Sequence, residues 1–202
     1  MLVFVRDWQS ADVLPGVAKT LGEDATRQVY KKLAEGSWKN LADPRYERWL
    51  MAHPAEAVDA VNAWLAGADQ AFPLPPLGRG DRLSWGFDHA FKKGMPWVAG
   101  VRMECPEINS RHFREVGRAL QECDLALVPT QRGSYGMIAM KEYVPEIFQG
   151  VPWGTSEVYE ATMDIALDLE MSVYSLPPVN EVSKVEDLVK LGWQLPGQNI
   201  GS

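Results

Sequence analysis

The sequence predicts a single three-layer α/β domain with a mostly parallel sheet covered on both faces. Two observations carry this. The runs Met1–Leu2–Val3–Phe4–Val5 and Leu125–Ala126–Leu127–Val128 are apolar at every position, as strands buried on both faces must be. Between such runs, apolar residues recur at three- and four-residue spacing, the period of a helix that covers a sheet. A length of 202 residues suits one domain of this kind, expected over residues 1–195.

The elements follow in order. Residues 1–5 form the first strand, and Pro15 and Gly16 mark a turn-rich stretch after it. A helix over 23–35 carries Ala25, Val29 and Leu33 on one stripe, with Gly36 as its stop. Residues 46–51 read as a strand, and Pro54 opens a helix with Val58, Val61 and Leu65 inward, closed by Gly67. Three prolines within 71–77 confine that segment to an edge strand or an extended loop.

Leu83, Phe87 and Phe91 fall on one face of a helix that ends at Gly94, and 97–103 is a strand. Phe113, Val116 and Leu120 mark a helix that Asn109 or Ser110 can cap. Strands follow at 125–129 and 137–140. A helix over 156–170 is expected to bury Val158, Ile165 and Leu169. A strand at 173–176 and a short helix at 185–191 complete the alternation. Residues 196–202, polar and Gly-rich, are expected to form a disordered tail.

Composition narrows the function. Lys and Arg total 20 against 27 Asp and Glu, a formal net charge of −7 with no basic cluster, which disfavours general nucleic-acid binding. Only two cysteines are present, Cys105 and Cys123, neither at zinc-ligand spacing, which points to reduced thiols and a cytoplasmic location. No apolar run reaches the ~20 residues that span a membrane. There is no Gly-x-Ser-x-Gly elbow and no Walker-type loop. In a sheet of this kind ligands bind beyond the carboxyl ends of the strands, where the strand order reverses. The loops after Val5, Met103, Pro129 and the strand at Val173 are therefore the places to look.

Several stretches resemble the motifs of a small bacterial GT-A-like glycosyltransferase family within the nucleotide-diphospho-sugar transferase superfamily. Gly80–Asp81–Arg82–Leu83, followed by Ala90, Phe91 and Gly94, is similar to its GERM/GERL…AF…G. Glu104–Cys105–Pro106–Glu107–Ile108 resembles part of SDCPDL, and Arg132–Gly133–Ser134–Tyr135 stands where the family carries DGGY. Phe148–Gln149–Gly150–Val151–Pro152–Trp153–Gly154–Thr155 is close to LFEGIPWST, and 181–188 resembles DVDTPEDL. The resemblance implies a GT-A fold, a nucleotide or nucleotide-sugar partner and Mg²⁺ or Mn²⁺ on the diphosphate.

It also implies a divergent member with a degenerate site. The Lys and Arg expected after the first strand (PGxxKTRL) are missing. Pro15–Gly16–Val17–Ala18–Lys19–Thr20 spells PGxxKT only later, where a shifted loop could bring Lys19 to a phosphate. The expected metal aspartate is Glu104, the aspartate of DGGY is Arg132, and the second aspartate of DVDT is Ser183.

The candidate residues are Glu104 for metal, and Arg82, Arg132, Gly133, Ser134, Tyr135 and Trp153 for substrate or nucleotide. Arg82 sits at a helix start where a phosphate could meet it. Arg132 offers a bidentate donor that could stand in for a metal. Gly133, Ser134 and Tyr135 are read as a turn allowing close ligand approach, and Trp153 as a stacking or packing aromatic. Each has a plain alternative as an ordinary surface or packing residue. No catalytic residue is assigned, and His53, His89 and His112 receive no role. The expected function is transfer of a sugar from a nucleotide-diphospho-sugar donor. The alternatives are a non-catalytic GT-A-like binding protein with a protein partner, and a nucleotidyltransferase.

Overall fold

The computed structural model describes residues 1–193; the end of the predicted domain (194–195) and the predicted tail (196–202) lie outside the described residues. Seven strands form one sheet: β1 (Leu2–Arg6), β2 (Trp49–His53), β3 (Gln70–Pro73), β4 (Val98–Arg102), β5 (Leu125–Pro129), β6 (Tyr135–Met140) and β7 (Val173–Ser175). The spatial order is β3-β2-β1-β4-β6-β5-β7. All pairings are parallel except those of β6, which runs antiparallel between β4 and β5. After β1 the chain builds outward to β2 and β3, then returns to lay β4 on the other side of β1. The strand order therefore reverses between β1 and β4.

Alternation along each strand separates two apolar layers. On one face Val3, Val5, Leu50, Val101 and Val128 pack with α1 (Pro15–Leu21), α2 (Glu23–Asn40), α3 (Val58–Trp64), α5 (Ser110–Ala119) and α7 (Val185–Lys190). On the other, Leu2, Met51, Leu127 and Ile138 pack with α4 (Arg79–Lys92) and α6 (Val158–Asp168). Both cysteines are buried and unpaired in a bond. No helix among the described residues is long and apolar enough to cross a membrane.

The departures from expectation are local. The stretch at Pro15 is not merely a turn but α1, with Pro15 in its first turn and Val17 fully buried. Gly36 does not stop α2, which runs on to Asn40 because Ser37 donates to the Met103 carbonyl (3.0 Å) and Trp38 Nε1 to the Ala66 carbonyl (3.1 Å). Strand β2 begins three residues later than expected, since Tyr46 instead sets its ring edge-on to Phe113 and Trp97. Pro54 is followed first by a 3₁₀ turn, Ala55–Ala57, and then by α3. Helix α6 buries Val158, Thr162 and Ala166, leaving Ile165 half-buried and Leu169 exposed. Thr162 can take the inward place because its hydroxyl is satisfied by the Val158 carbonyl at 2.8 Å. The cap of α5 is Asn109, in a reciprocal box with His112.

At the far end of the sheet Asp124 ties β5 to β7. Its carboxylate accepts from the Ser172 amide (2.8 Å) and hydroxyl (2.6 Å) and pairs with Lys141 (2.8 Å). The Lys141 ammonium, followed by the Ser172 donors, lowers the Asp124 pKa from the usual 3.8 to about 2. A depressed carboxylate stabilises the fold above its unfolded pKa and loses that contribution as pH falls from about 4 toward 2. With a partly exposed side chain and solvent screening, about 1 kcal/mol is expected from it at neutral pH. Urea titrations of Asp124→Asn should show that loss at pH 7 and a shallower acid limb between pH 4 and 2. An unchanged acid limb would mean that the pair contributes nothing.

Candidate functional site

Three parallel strands end in a polar residue on the same side of the sheet. Arg6 closes β1, His53 closes β2 and Arg102 closes β4, all around the point where strand order reverses. Helix α4 starts opposite them and contributes Arg79 and Arg82. The result is a cleft with two parts. An inner hollow is floored by Phe4, Leu74, Leu83, Gly100 and Ile138 and flanked by Tyr135 and Trp153. An outer groove runs past Asp12, Arg132, Thr155 and Glu181. Arg6, Arg79, Arg102, Glu104 and Ser134 line both. Five arginines face three carboxylates there, a local positive excess in a chain of net charge −7.

The arginines differ in what already holds them. Arg6 is half-buried and ion-paired to exposed Asp12, and its backbone amide donates to the buried Tyr30 hydroxyl (3.0 Å), which anchors the end of β1. Arg82 Nη1 donates to His53 Nε2 at 2.8 Å. A guanidinium has no acceptor, so Nε2 carries the lone pair and a neutral His53 keeps its proton on Nδ1. That Nδ1 is buried without a partner. Burial first, then the charges of Arg82 and Arg6, push the His53 pKa down, which keeps the ring neutral.

Arg102 Nη2 donates to Glu181 (2.8 Å) and its Nε lies 3.5 Å from Glu104. Glu181 also accepts from the Thr130 hydroxyl at 3.1 Å. Burial alone would lower the Arg102 pKa, but Glu104 and Glu181 outweigh it and hold the group firmly charged. Arg79 is exposed on the cleft wall and, among the described residues, has neither an ion-pair nor a hydrogen-bond partner for its guanidinium. Desolvation, then Arg102, lowers its pKa. Desolvation, then Arg6 and Arg79, does the same for Arg82.

The residues singled out from sequence fall as follows. Arg82, Glu104, Ser134, Tyr135 and Trp153 line the inner hollow. Gly133 and Ser134 lie in the turn from β5 to β6, where the Thr130 amide donates to the Ser134 carbonyl at 2.8 Å. Tyr135 is not part of that turn. It is the buried first residue of β6, and its hydroxyl has no partner. Trp153 packs edge-on to Tyr135 and closely over Gly80, where any side chain would collide with its indole. Arg132 stays at the rim of the outer groove, held by Asp187 (3.1 Å), whose carboxylate also accepts from the Ser183 and Lys184 amides ahead of α7. Lys19 is exposed in the last turn of α1 and does not line the cleft.

Sequence reasoning missed Arg6, His53, Arg79, Arg102 and Glu181. For Arg6, His53 and Arg102 the available signal was a charged or polar residue at the last position of successive parallel strands.

The carboxylates at the cleft are engaged by an arginine rather than left free for the divalent ion that the family resemblance implies. Mg²⁺ and Mn²⁺ sites use carboxylates left free to ligate. Here Glu104 and Glu181 both face Arg102, and no cluster of three or more His, Cys, Asp or Glu side chains among the described residues offers an all-protein cage.

Comparison with known proteins agrees with this architecture. The chain belongs to the family described as uncharacterized proteins conserved in bacteria (DUF2064), which it matches over residues 38–155. Its fold is of the GT-A nucleotide-diphospho-sugar transferase type. A protein of Desulfovibrio desulfuricans G20, provisionally described as a nucleotide-diphospho-sugar transferase, superposes with a TM-score of 0.86 at 25% identity, over 94% of this chain and 84% of the other. The 4-diphosphocytidyl-2C-methyl-D-erythritol synthase of Anaerococcus prevotii is similar at TM-score 0.61 and 10% identity, over 94% and 95%. A nucleotidyl transferase of Methanothermobacter is similar at TM-score 0.59 and 11% identity, over 95% of each chain. At those identities the last two speak to the fold alone. No curated protein matches the sequence.

Proposed function

We propose that the chain is a transferase acting on a nucleotide-diphospho-sugar, with the diphosphate in the arginine cleft and the nucleotide or sugar ring against the apolar floor. One observation carries the reading. A cleft rich in guanidinium groups lies at the strand-order reversal between β1 and β4, where such sheets bind ligands. In glycosyl transfer the bond between the anomeric carbon and the diphosphate oxygen breaks, and negative charge builds on the departing nucleoside diphosphate. Donors already fixed at that position stabilise the charge without reorganising. Likeness to the Desulfovibrio protein supports this class of substrate.

A second reading, a GT-A-like protein that binds without catalysing, is favoured by one specific feature. Arg102 engages both Glu104 and Glu181, the carboxylates best placed to act on an acceptor.

Thermal-shift titrations with UDP, GDP, CDP and ADP and their sugars test the proposal. Ligand at a hundred times its Kd adds about 2.7 kcal/mol. For a domain of this size that corresponds to a rise in Tm of about 5–10 °C. One base should stand out, and labelled donor should then yield a glycosylated product. Binding without turnover would favour the non-catalytic reading, and no shift with any nucleotide would overturn both.

A further inference from the structure

We propose that Arg6, Arg79 and Arg82 form a metal-independent clamp for a diphosphate, a reading that rests on the proposed nucleotide-binding role of the cleft.

The three side chains come from two elements that meet at one cleft. Arg6 stands at the end of β1, and Arg79 and Arg82 stand one turn apart at the start of α4. A folded protein gathers like charges only at a cost, and here the charges of Arg6 and Arg79 add to the burial that lowers the Arg82 pKa. Arg79 has no ion-pair partner among the described residues. Arg82 has only a neutral imidazole, and Arg6 only an exposed aspartate on a loop. A diphosphate relieves this repulsion and matches the planar forks of the guanidinium groups. Helix α4 adds to the effect, since its N-terminus has no side-chain cap and its dipole favours an anion.

Two alternatives within the cleft are weaker. Arg102 already donates to Glu181 (2.8 Å) and lies 3.5 Å from Glu104, and Arg132 pairs with Asp187 (3.1 Å). Turning either one fully toward a ligand would weaken its hold on a partly buried carboxylate. The same arginine competes with a metal for Glu104. Charge neutralisation at this site therefore falls to the three arginines.

Titration calorimetry on the whole chain tests the clamp with two probes, inorganic pyrophosphate and the nucleoside diphosphate giving the largest thermal shift. Each is run with EDTA and again with Mn²⁺. Both probes should bind in EDTA, with Mn²⁺ bringing no gain. Arg79→Ala should weaken each by about 10- to 100-fold, the usual worth of one charge-assisted contact. Because Arg79 is exposed and unpartnered, this variant should fold normally. Arg82→Gln should behave similarly, and Arg111→Ala, exposed on α5, should change nothing.

Binding that appears only with Mn²⁺ would overturn the clamp and leave the transferase reading standing. Pyrophosphate binding in EDTA, lost in Arg79→Ala but with no affinity for any nucleotide, would keep the clamp and remove the nucleotide reading. Undiminished affinity in Arg79→Ala and Arg82→Gln would also overturn the clamp, and no binding of either probe would overturn both proposals.

Discussion

Arg102→Met is expected to lower stability by about 3–5 kcal/mol, the range found when one partner of a buried ion pair is removed. The methionine fills a similar volume, so little of that loss comes from packing. It comes from Glu104 and Glu181, whose side chains are only 21% and 11% exposed and which would face each other without their direct ion-pair partner. Urea denaturation should show a fall in midpoint with little change in slope, the signature of altered stability rather than altered compactness. Adding Glu181→Gln to Arg102→Met should recover part of the loss, because the two residues touch and their effects should not add. A fall below about 1 kcal/mol would place the triad in the class of surface pairs. Arg102 would then be free to serve a ligand.

Gly133→Ala is expected to cost about 2–5 kcal/mol, from two sources that act together. Gly133 has φ 75°, in the left-handed region where a Cβ costs about 1–2 kcal/mol. A Cβ there would also run into the backbone carbonyl of Ser156, which cannot swing aside as a side-chain tip can. Overpacking of this kind costs about 1–3 kcal/mol. The Gly133 carbonyl meanwhile accepts the Tyr159 amide at 2.9 Å, so the turn and the entry to α6 would shift together. Ser134 and Thr155 line the outer groove on either side of this contact, so the groove should change shape as well. Thermal melts should show the loss directly. A Gly133→Ala protein with an unaltered Tm would mean that the 155–157 segment yields easily.

Much of the fold was legible because its signals are local. Pure apolar runs marked β1 and β5, and helical periodicity marked the cores of α2, α4 and α5. The boundaries were not legible where a contact distant in sequence decided them. Gly36 looks like a helix stop, but Ser37 and Trp38 gain buried partners 66 and 28 residues away by staying helical. Leu169 looks like a core residue on hydropathy, yet the face of α6 that meets the sheet is set by Val158, Thr162 and Ala166. Segment 15–21 was hidden because Pro and Gly signal a turn, although Pro is equally suited to the first turn of a helix.

The candidate site divides in the same way. Motif order led to Arg82, Glu104, Ser134, Tyr135 and Trp153, and all five meet at the inner hollow. Motif matching also named Arg132, which the folded chain commits to Asp187. It passed over Arg6, His53 and Arg102, because a single residue at a strand end belongs to no motif.

By itself the sequence determined the alternation of strands and helices and pointed to the carboxyl ends of the strands as the place of the candidate site. These depend on residue type and near-neighbour spacing, which a linear chain displays openly. Only the tertiary structure decided which charges meet. Arg102 is 79 residues from Glu181, Arg82 is 29 from His53, and Arg132 is 55 from Asp187. The free energy of an arginine depends on whether a carboxylate stands within a few ångströms, so pairing in space separates the committed guanidinium groups from those left open to a ligand.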